Sequence, residues 1–274
     1  MTIAHRGLLP NDVFLASYPR SGSVWLRFLL TEMLSGDASF VTISNTVPYV
    51  GKHGATPSLV PAGGRLIKTH EPFNSFYRRA IHLVRDPRDV CISYFNFLQR
   101  IGKITIRARD DKAASFDHHV NAFLAGRVDA FGTWQQHLVS WSAAKEHGRA
   151  DVHRITFEDL KADTPAELER LADWLKLPFS RSDAVRVAER CSVENMKRAE
   201  AEGRLANPPV FSKTALRTGL SLILAGRAGG WREALTDAQQ DRFAAFAEGL
   251  ALMGYPPAGA GKPGAAARAR LAVG

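Results

Sequence analysis

Lys68 and His70 stand two residues apart in RLIKTHEPF, at the end of a short apolar run. In an extended chain, residues at that spacing point to the same side. A cation and a titratable base facing one cleft suit proton removal beside a charge that needs stabilising. A histidine alone is more simply a satisfied surface or core residue, so the assignment depends on what else converges. In FLASYPRSGSVWLRFLL (14–30) an apolar run enters a loop of Pro, Arg, Ser and Gly, and an apolar run leaves with helical character. The first amides of such a helix have no internal partner and carry partial positive charge, so an anion placed there accepts several backbone hydrogen bonds. Gly22 permits close backbone approach, Arg20 adds a cation, Ser21 and Ser23 add hydroxyls, and Trp25 offers a flat face suited to stacking on a base. By itself this turn fits an anion site and an ordinary strand–helix turn with Arg20 in solvent equally well. HLVRDPRDVCISYF places Arg85 at another strand end and Ser93 in the first turns of the next helix, where the pair could grip a second phosphate. The alternative is a solvated charged turn of Arg85, Asp86, Arg88 and Asp89.

The elements that must position these residues alternate. VFLAS (13–17), RLIKT (65–69), AIHLV (80–84) and VHRITF (152–157) read as strands, and helical segments separate them, beginning with VWLRFLLTEML (24–34). Continuous apolar strands alternating with helices predict an α/β fold, a central parallel sheet with helices on both faces. A helix is expected after Thr164, with Thr164 as cap, Pro165 at its first position and Glu167 completing a capping box. Thr236 and Gln239 form a second capping box, opening a late helix with an apolar stripe of Phe243, Phe246, Ala247 and Leu250. No internal repeat or linker divides the chain, so residues 1–257 are expected to form one domain. The segment 258–274, rich in Gly and Ala with Lys262, Arg268 and Arg270 and no acid, reads as a disordered basic tail. The irregular stretches 35–64 and 99–132 are candidates for shaping a second substrate beyond the strand ends. Phe73, Phe76, Tyr77 and Phe97 are candidates for the pocket wall or for the core.

The formal charge of +9 and pI of about 9.8 point to an acidic partner without naming it. Cationic residues are scattered among acids rather than gathered along one helix, which disfavours a nucleic-acid reader. No stretch approaches the ~20 apolar residues of a membrane span, and the N-terminus lacks a secretory apolar core. Two cysteines give neither a disulfide framework nor metal-ligand spacing; Cys91 and Cys191 read as small apolar fillers in a cytoplasmic protein. His118 and His119 read as solvent-facing, not as ligands, and no metal site is expected.

YPRSGSVWL, IKTHEP and LVRDPRDVCISYF, in this order, resemble the donor-binding motifs of the cytosolic-type sulfotransferases, with Arg20 where that family usually has lysine. AFLAGRVDAFGTWQQHLVSW, ITFEDLKADTPAELERLADWLKLP and CSVENMK resemble further family segments, so the likeness runs from about residue 13 to 245. The resemblance implies a single P-loop-like domain and transfer of a sulfuryl group from 3′-phosphoadenosine 5′-phosphosulfate (PAPS), leaving adenosine 3′,5′-bisphosphate (PAP). It implies that Arg20, Ser21, Gly22, Ser23, Val24 and Trp25 bind the 5′-phosphosulfate and open the adenine site. It implies Lys68 on the bridging or sulfuryl oxygens, with Lys68 and Arg20 supporting His70 as catalytic base. Arg85 and Ser93 would hold the 3′-phosphate, and Phe157, Cys191 and Val193 would line the adenine pocket. A last family motif is interrupted here by LSLILAG (220–226): Arg217, Thr218 and Gly219 would carry its phosphate contact, with Arg227 the competing choice. The apolar insertion is either a lid or apolar contact for an apolar or lipid-linked acceptor, or a locally buried segment such as a short helix packed on the core.

The expected acceptor is a small-molecule or lipid-linked hydroxyl, or an amine. Nucleic acid is not an expected partner, and a homodimer is compatible with the sequence. A sulfuryl group carries less negative charge than a phosphoryl group, so fixed cations can serve where kinases use Mg²⁺. The rival reading, a P-loop kinase or other ATP-binding protein, requires a Walker lysine followed by Ser or Thr, which the turn lacks. A member that binds donor without turnover is disfavoured by the presence of both Lys68 and His70.

Overall fold

A computed structural model of the chain describes residues 5–104, 112–203 and 226–259. The expected positions Arg217, Thr218 and Gly219, insertion residues 220–225 and nearly all of the 258–274 segment lie outside those residues. Four strands, β1 (Val13–Ser17), β2 (Leu66–Thr69), β3 (Arg79–Val84) and β4 (Asp151–Thr156), form one sheet in the order β2-β1-β3-β4. All neighbours are parallel, with Leu15 opposite Lys68 and Ile81. The alternation of strand side chains divides the core. Val13, Leu15, Leu66, Ile81, Leu83 and Ile155 face helices α1 (Ser23–Ser35), α2 (Phe40–Thr46), α7 (Thr164–Leu175) and α8 (Arg181–Arg190). Phe14, Ala16, Ile67, Ala80 and Val152 face α5 (Trp134–Glu146) through Trp141 and Ala144. The expected two-faced parallel sheet is therefore present.

A third cluster lies beyond the carboxyl ends of the strands. There Tyr18 and Val84 meet α3 (Pro87–Arg100), α4 (Lys112–Leu124), the C-terminal helices α10 (Trp231–Ala234) and α12 (Ala247–Leu252), and the 3₁₀ turn Phe243–Phe246 that follows α11 (Asp237–Arg242). The short helix α6 (Phe157–Ala162) starts directly from β4, and α9 (Val193–Ala201) follows α8. In an open parallel sheet this end carries the binding crevice.

Local chemistry corrects two sequence expectations. The cap of α7 is Asp163, whose carboxylate accepts from the Ala166 amide; Thr164 is already helical and donates its hydroxyl to the Leu160 carbonyl. Asp competes well for a cap position, and one residue of shift brings its carboxylate to the open amides. Thr236 and Gln239 do form their capping box. The helix they open breaks into a 3₁₀ turn at Phe243–Phe246 before α12, which leaves Ala247 exposed and buries Gly249 instead.

Gly22 caps α1 at φ 100°, and a Cβ there would lie 2.6 Å from Cδ2 of Phe157. The left-handed backbone alone disfavours an L side chain by about 1–2 kcal/mol. Gly22→Ala is therefore expected to lower the denaturation midpoint by at least that equivalent, with the ring contact adding to it. An unchanged midpoint would contradict the turn's geometry.

Candidate functional site

The crevice is built from three strand ends. After β1, the turn Tyr18–Gly22 places Arg20 at φ 69°. The Arg20 guanidinium lies 4.5 Å above the Phe97 ring of α3. Helix α1 has no side-chain cap and no acid in its first turn, so no side chain competes for its leading amides. After β3, the RDPRD turn is not the solvated charged turn that its composition allows. Arg85, Asp86, Arg88 and Asp89 are all buried, and Arg88 makes a two-pronged pair with Asp86 at 2.9 and 2.7 Å. Arg85 reaches back to the Tyr18–Gly22 turn, donating to the Arg20 carbonyl at 3.3 Å, and across to the Arg227 carbonyl at 3.0 Å.

Lys68 and His70 extend from β2 to the same crevice. The Lys68 side chain is fully buried and donates to Ser17 Oγ at 2.7 Å and to the carbonyls of Thr69 and Leu15. His70 Nδ1 lies 2.7 Å from the Ser17 carbonyl and 3.2 Å from Lys68 Nζ. A carbonyl only accepts, so Nδ1 carries the proton and Nε2 keeps a lone pair. Burial, reinforced by the Lys68 ammonium, holds the imidazole well below its usual range, so His70 is neutral at pH 7. Burial also lowers Lys68 well below the ordinary lysine range, with Arg27 adding to the effect.

Counter-charges are unevenly distributed. The buried arginines Arg65 and Arg88 have carboxylate partners in Asp12 and Asp86. Arg20, Arg27, Lys68 and Arg85 have no carboxylate at ion-pair distance among the described residues. Arg20 Nε, Arg27 Nε, Arg85 Nε and Ser21 Oγ are buried with no hydrogen-bond partner. Burial and the proximity of Arg85 bring Arg20 down to about 10, still a cation at neutral pH. Buried charge without a partner is strongly unfavourable. Such a group of cations and open donors fits a multiply charged anion.

The remaining sequence candidates line one side of the same turn. Trp25 and Phe157 meet edge to face at 5.9 Å, and the Trp25 indole donates to the Cys191 carbonyl at 2.9 Å. The Arg85 guanidinium sits 4.3 Å over the Phe157 ring. Val24 and Val193 pack at the edge of the α1 core. Ser23 is buried at the start of α1, and Ser93 is half-buried on α3. Cys191 is buried and its thiol is pushed up to about 12, in keeping with a filler role. The Arg227 guanidinium is exposed and pairs with Glu233 at 3.0 Å; it is the backbone carbonyl of Arg227 that meets Arg85.

Sequence reasoning missed three residues. Tyr49 and Phe131 flank His70 at ring distances of 5.7 and 5.6 Å. Tyr49 is held because its neighbours Pro48 and Val50 hydrogen-bond to Lys68. Beneath it lies Arg27, 5.3 Å from the ring. The signal was available: VPY sits in a stretch marked as substrate-shaping, but no periodicity fixes where an irregular segment returns. Of the proposed pocket aromatics, Phe97 lies under Arg20, whereas Phe73 and Tyr77 pack on Trp141 and Phe76 stacks on His5. His119 is buried and bonded to the Cys91 carbonyl rather than solvent-facing; His118 is exposed. Among the described residues, no three His, Cys, Asp or Glu side chains gather as metal ligands. None of the described helices is long and apolar enough to cross a membrane.

With this geometry in place, comparison with known proteins identifies the family. Residues 10–254 match the sulfotransferase domain, and the chain belongs to that family: it is a sulfotransferase. It is 29% identical over 260 residues to rat sulfotransferase 2A1, covering 90% of this chain and 86% of the relative. Human sulfotransferase 2A1 is 27% identical over 245 residues, covering 85% and 81%. Mouse sulfotransferase SULT7A1, solved in complex with PAP, shares the fold with a TM-score of 0.64 at 22% identity, covering 88% of this chain and 84% of that one. Retinol dehydratase in complex with androsterone and PAP gives 0.64 at 20% identity, covering 90% and 82%.

The His70 tautomer and charge are open to direct measurement. In a nitrogen-edited NMR titration, His70 should show a proton on Nδ1 at pH 7. Its protonation midpoint should lie well below the ordinary value of about 6.5, so it stays neutral as pH falls through that value. A midpoint at or above the ordinary value, or a proton on Nε2, would contradict the site as described.

Proposed function

We propose that this sulfotransferase takes PAPS as donor and transfers its sulfuryl group in line to a hydroxyl or amine of a small-molecule acceptor. PAP is the product and His70 the general base. The observation that carries the reading is the set of uncompensated cations around a neutral imidazole that is flanked by the rings of Tyr49 and Phe131. That mouse SULT7A1, which shares the fold, was solved in complex with PAP supports the choice of donor.

The donor supplies a sulfuryl group on a bridging phosphate oxygen. Its 5′ end suits the α1 amides, Ser21 Oγ and Arg20; its 3′-phosphate suits Arg85 and Ser93. Trp25 and Phe157 are now in contact, so a base lying between them requires the rings to part. An acceptor placed between Tyr49 and Phe131 meets His70 Nε2, which takes its proton, while Ser17 holds Nδ1–H and so the ring orientation. Lys68 and Arg20 stabilise the negative charge that builds on the leaving oxygen. Lys68 spends its donors on the protein, so reaching that oxygen means exchanging one of those acceptors for it.

Two variants separate chemistry from binding. His70→Ala should lower turnover by about 10²–10⁴-fold while PAP binding, measured calorimetrically, is largely retained. Near-normal turnover would remove His70 from the mechanism. Arg85→Ala should weaken PAP by about 2–5 kcal/mol, the loss expected when a buried charged contact is truncated. Unchanged affinity would place the 3′-phosphate elsewhere.

A further inference from the structure

Segment 226–231 meets the phosphate crevice, yet its own cation, Arg227, turns away to Glu233. What the segment gives the crevice is backbone. The Arg227 carbonyl receives Arg85 Nη2 at 3.0 Å, and Gly226 passes so close to Phe157 that a Cβ would lie 2.7 Å from the ring. The segment is fastened to the start of α3 by one carboxylate. Asp89 Oδ2 accepts from the Gly229 amide at 2.7 Å, and Asp89 Oδ1 accepts from the Trp231 amide at 2.9 Å. The Trp231 indole is then held between two guanidiniums, Arg88 at 3.7 Å and Arg232 at 4.4 Å.

We propose that Asp89 is a positioning residue for the donor's 3′-phosphate, clamping backbone 229–231 so that the Arg227 carbonyl aims Arg85 into the crevice. The proposal rests on the PAPS reading above. Asp89 is buried and makes no ion pair among the described residues, although Arg85 lies nearby. Its two oxygens are committed to amides. That division of labour matters, because a carboxylate paired directly with Arg85 would cancel the charge a phosphate needs. Arg85 keeps its charge, its two terminal nitrogens are fixed by carbonyls of Arg20 and Arg227, and its Nε remains without a partner.

The groups facing Asp89 are Arg85 and Asp86 from its own turn, the two amides, and Arg227 across the segment. Burial pushes its carboxyl up to about 6, with Asp86 adding to the rise and Arg85 and the amides opposing it. Ionised, it accepts both amides; protonated, it can serve only one well. The clamp is thus complete above about pH 6 and weakens as pH falls through that value.

Asp89→Asn distinguishes a clamp from a mere negative charge, because the two predict opposite signs. If Asp89 acted only as a charge repelling phosphate, the amide would tighten PAP. As a clamp, it places an NH₂ against a backbone N–H, and PAP should bind about ten-fold more weakly or worse at pH 8, the effect of losing a hydrogen bond to a charged acceptor. The wild-type advantage should shrink as pH drops through about 6; the variant also cancels the phosphate's own titration. Donor KM should rise by more than kcat falls. In an Arg85→Ala background, Asp89→Asn should add little, since it acts through Arg85. PAP bound equally or more tightly by Asp89→Asn, or full additivity with Arg85→Ala, overturns the proposal. If the wild type itself fails to bind PAP, the donor reading fails and takes this one with it. Should the variant not fold, amide exchange in the wild type decides. The Gly229 and Trp231 amides should be protected and slowed further by PAP; exchange at unbonded rates, or no effect of PAP, overturns the clamp.

Discussion

The arrangement that the rest of this molecule depends on is a gathering of positive charge without counter-charge. Arg20, Arg27, Lys68 and Arg85 converge at the carboxyl ends of β1, β2 and β3 with no carboxylate partner at ion-pair distance among the described residues. Elsewhere the fold pairs its buried arginines conventionally, as Arg65 with Asp12 and Arg88 with Asp86. Desolvated like charges raise the energy of the folded chain, and the protein offsets this with backbone carbonyls rather than acids. Arg85 takes two carbonyls, Lys68 takes two and a hydroxyl, and Arg27 takes that of Ile43. Carbonyls hold the cations in place without neutralising them, which keeps their field available to an anion.

The same electrostatics sets the state of His70. His70 is kept neutral by burial and by the Lys68 ammonium, and the Ser17 carbonyl chooses which nitrogen keeps the lone pair. Ser17 therefore serves twice, since its hydroxyl accepts from Lys68 while its carbonyl accepts from His70. The last residue of β1 thus connects the Tyr18–Gly22 turn to Lys68 and His70. The parallel register, with Leu15 opposite Lys68, brings these strand ends together.

Much of this was legible in the sequence because it is local. The strands were legible from continuous apolar runs, and the crevice from cations and glycines at fixed offsets after them. The shared side of Lys68 and His70 follows from strand geometry, and the close backbone approach at Gly22 follows from the turn. What escaped depends on contacts distant in sequence. RDPRD reads either as part of a phosphate grip or as a solvated charged turn; its burial depends on Trp231 folding over Arg88 and on the Gly229 amide reaching Asp89. Tyr49 and Phe131 flank His70 only because two irregular stretches return to it. Arg27 lies in a helix buried from Leu26 through Glu32, where no period singles it out, and the core holds it, charge included. The cap of α7 moved by one residue because two capping chemistries were adjacent and only geometry chooses between them.

The central claim, that these unpaired cations hold a nucleotide phosphorylated at both ends of its ribose, is tested most directly by calorimetric titration with PAP against AMP, which lacks only the 3′-phosphate. The account predicts that PAP binds at least about thirty-fold more tightly, the lower end expected for one buried charged contact. Equal affinities for the two nucleotides would contradict it.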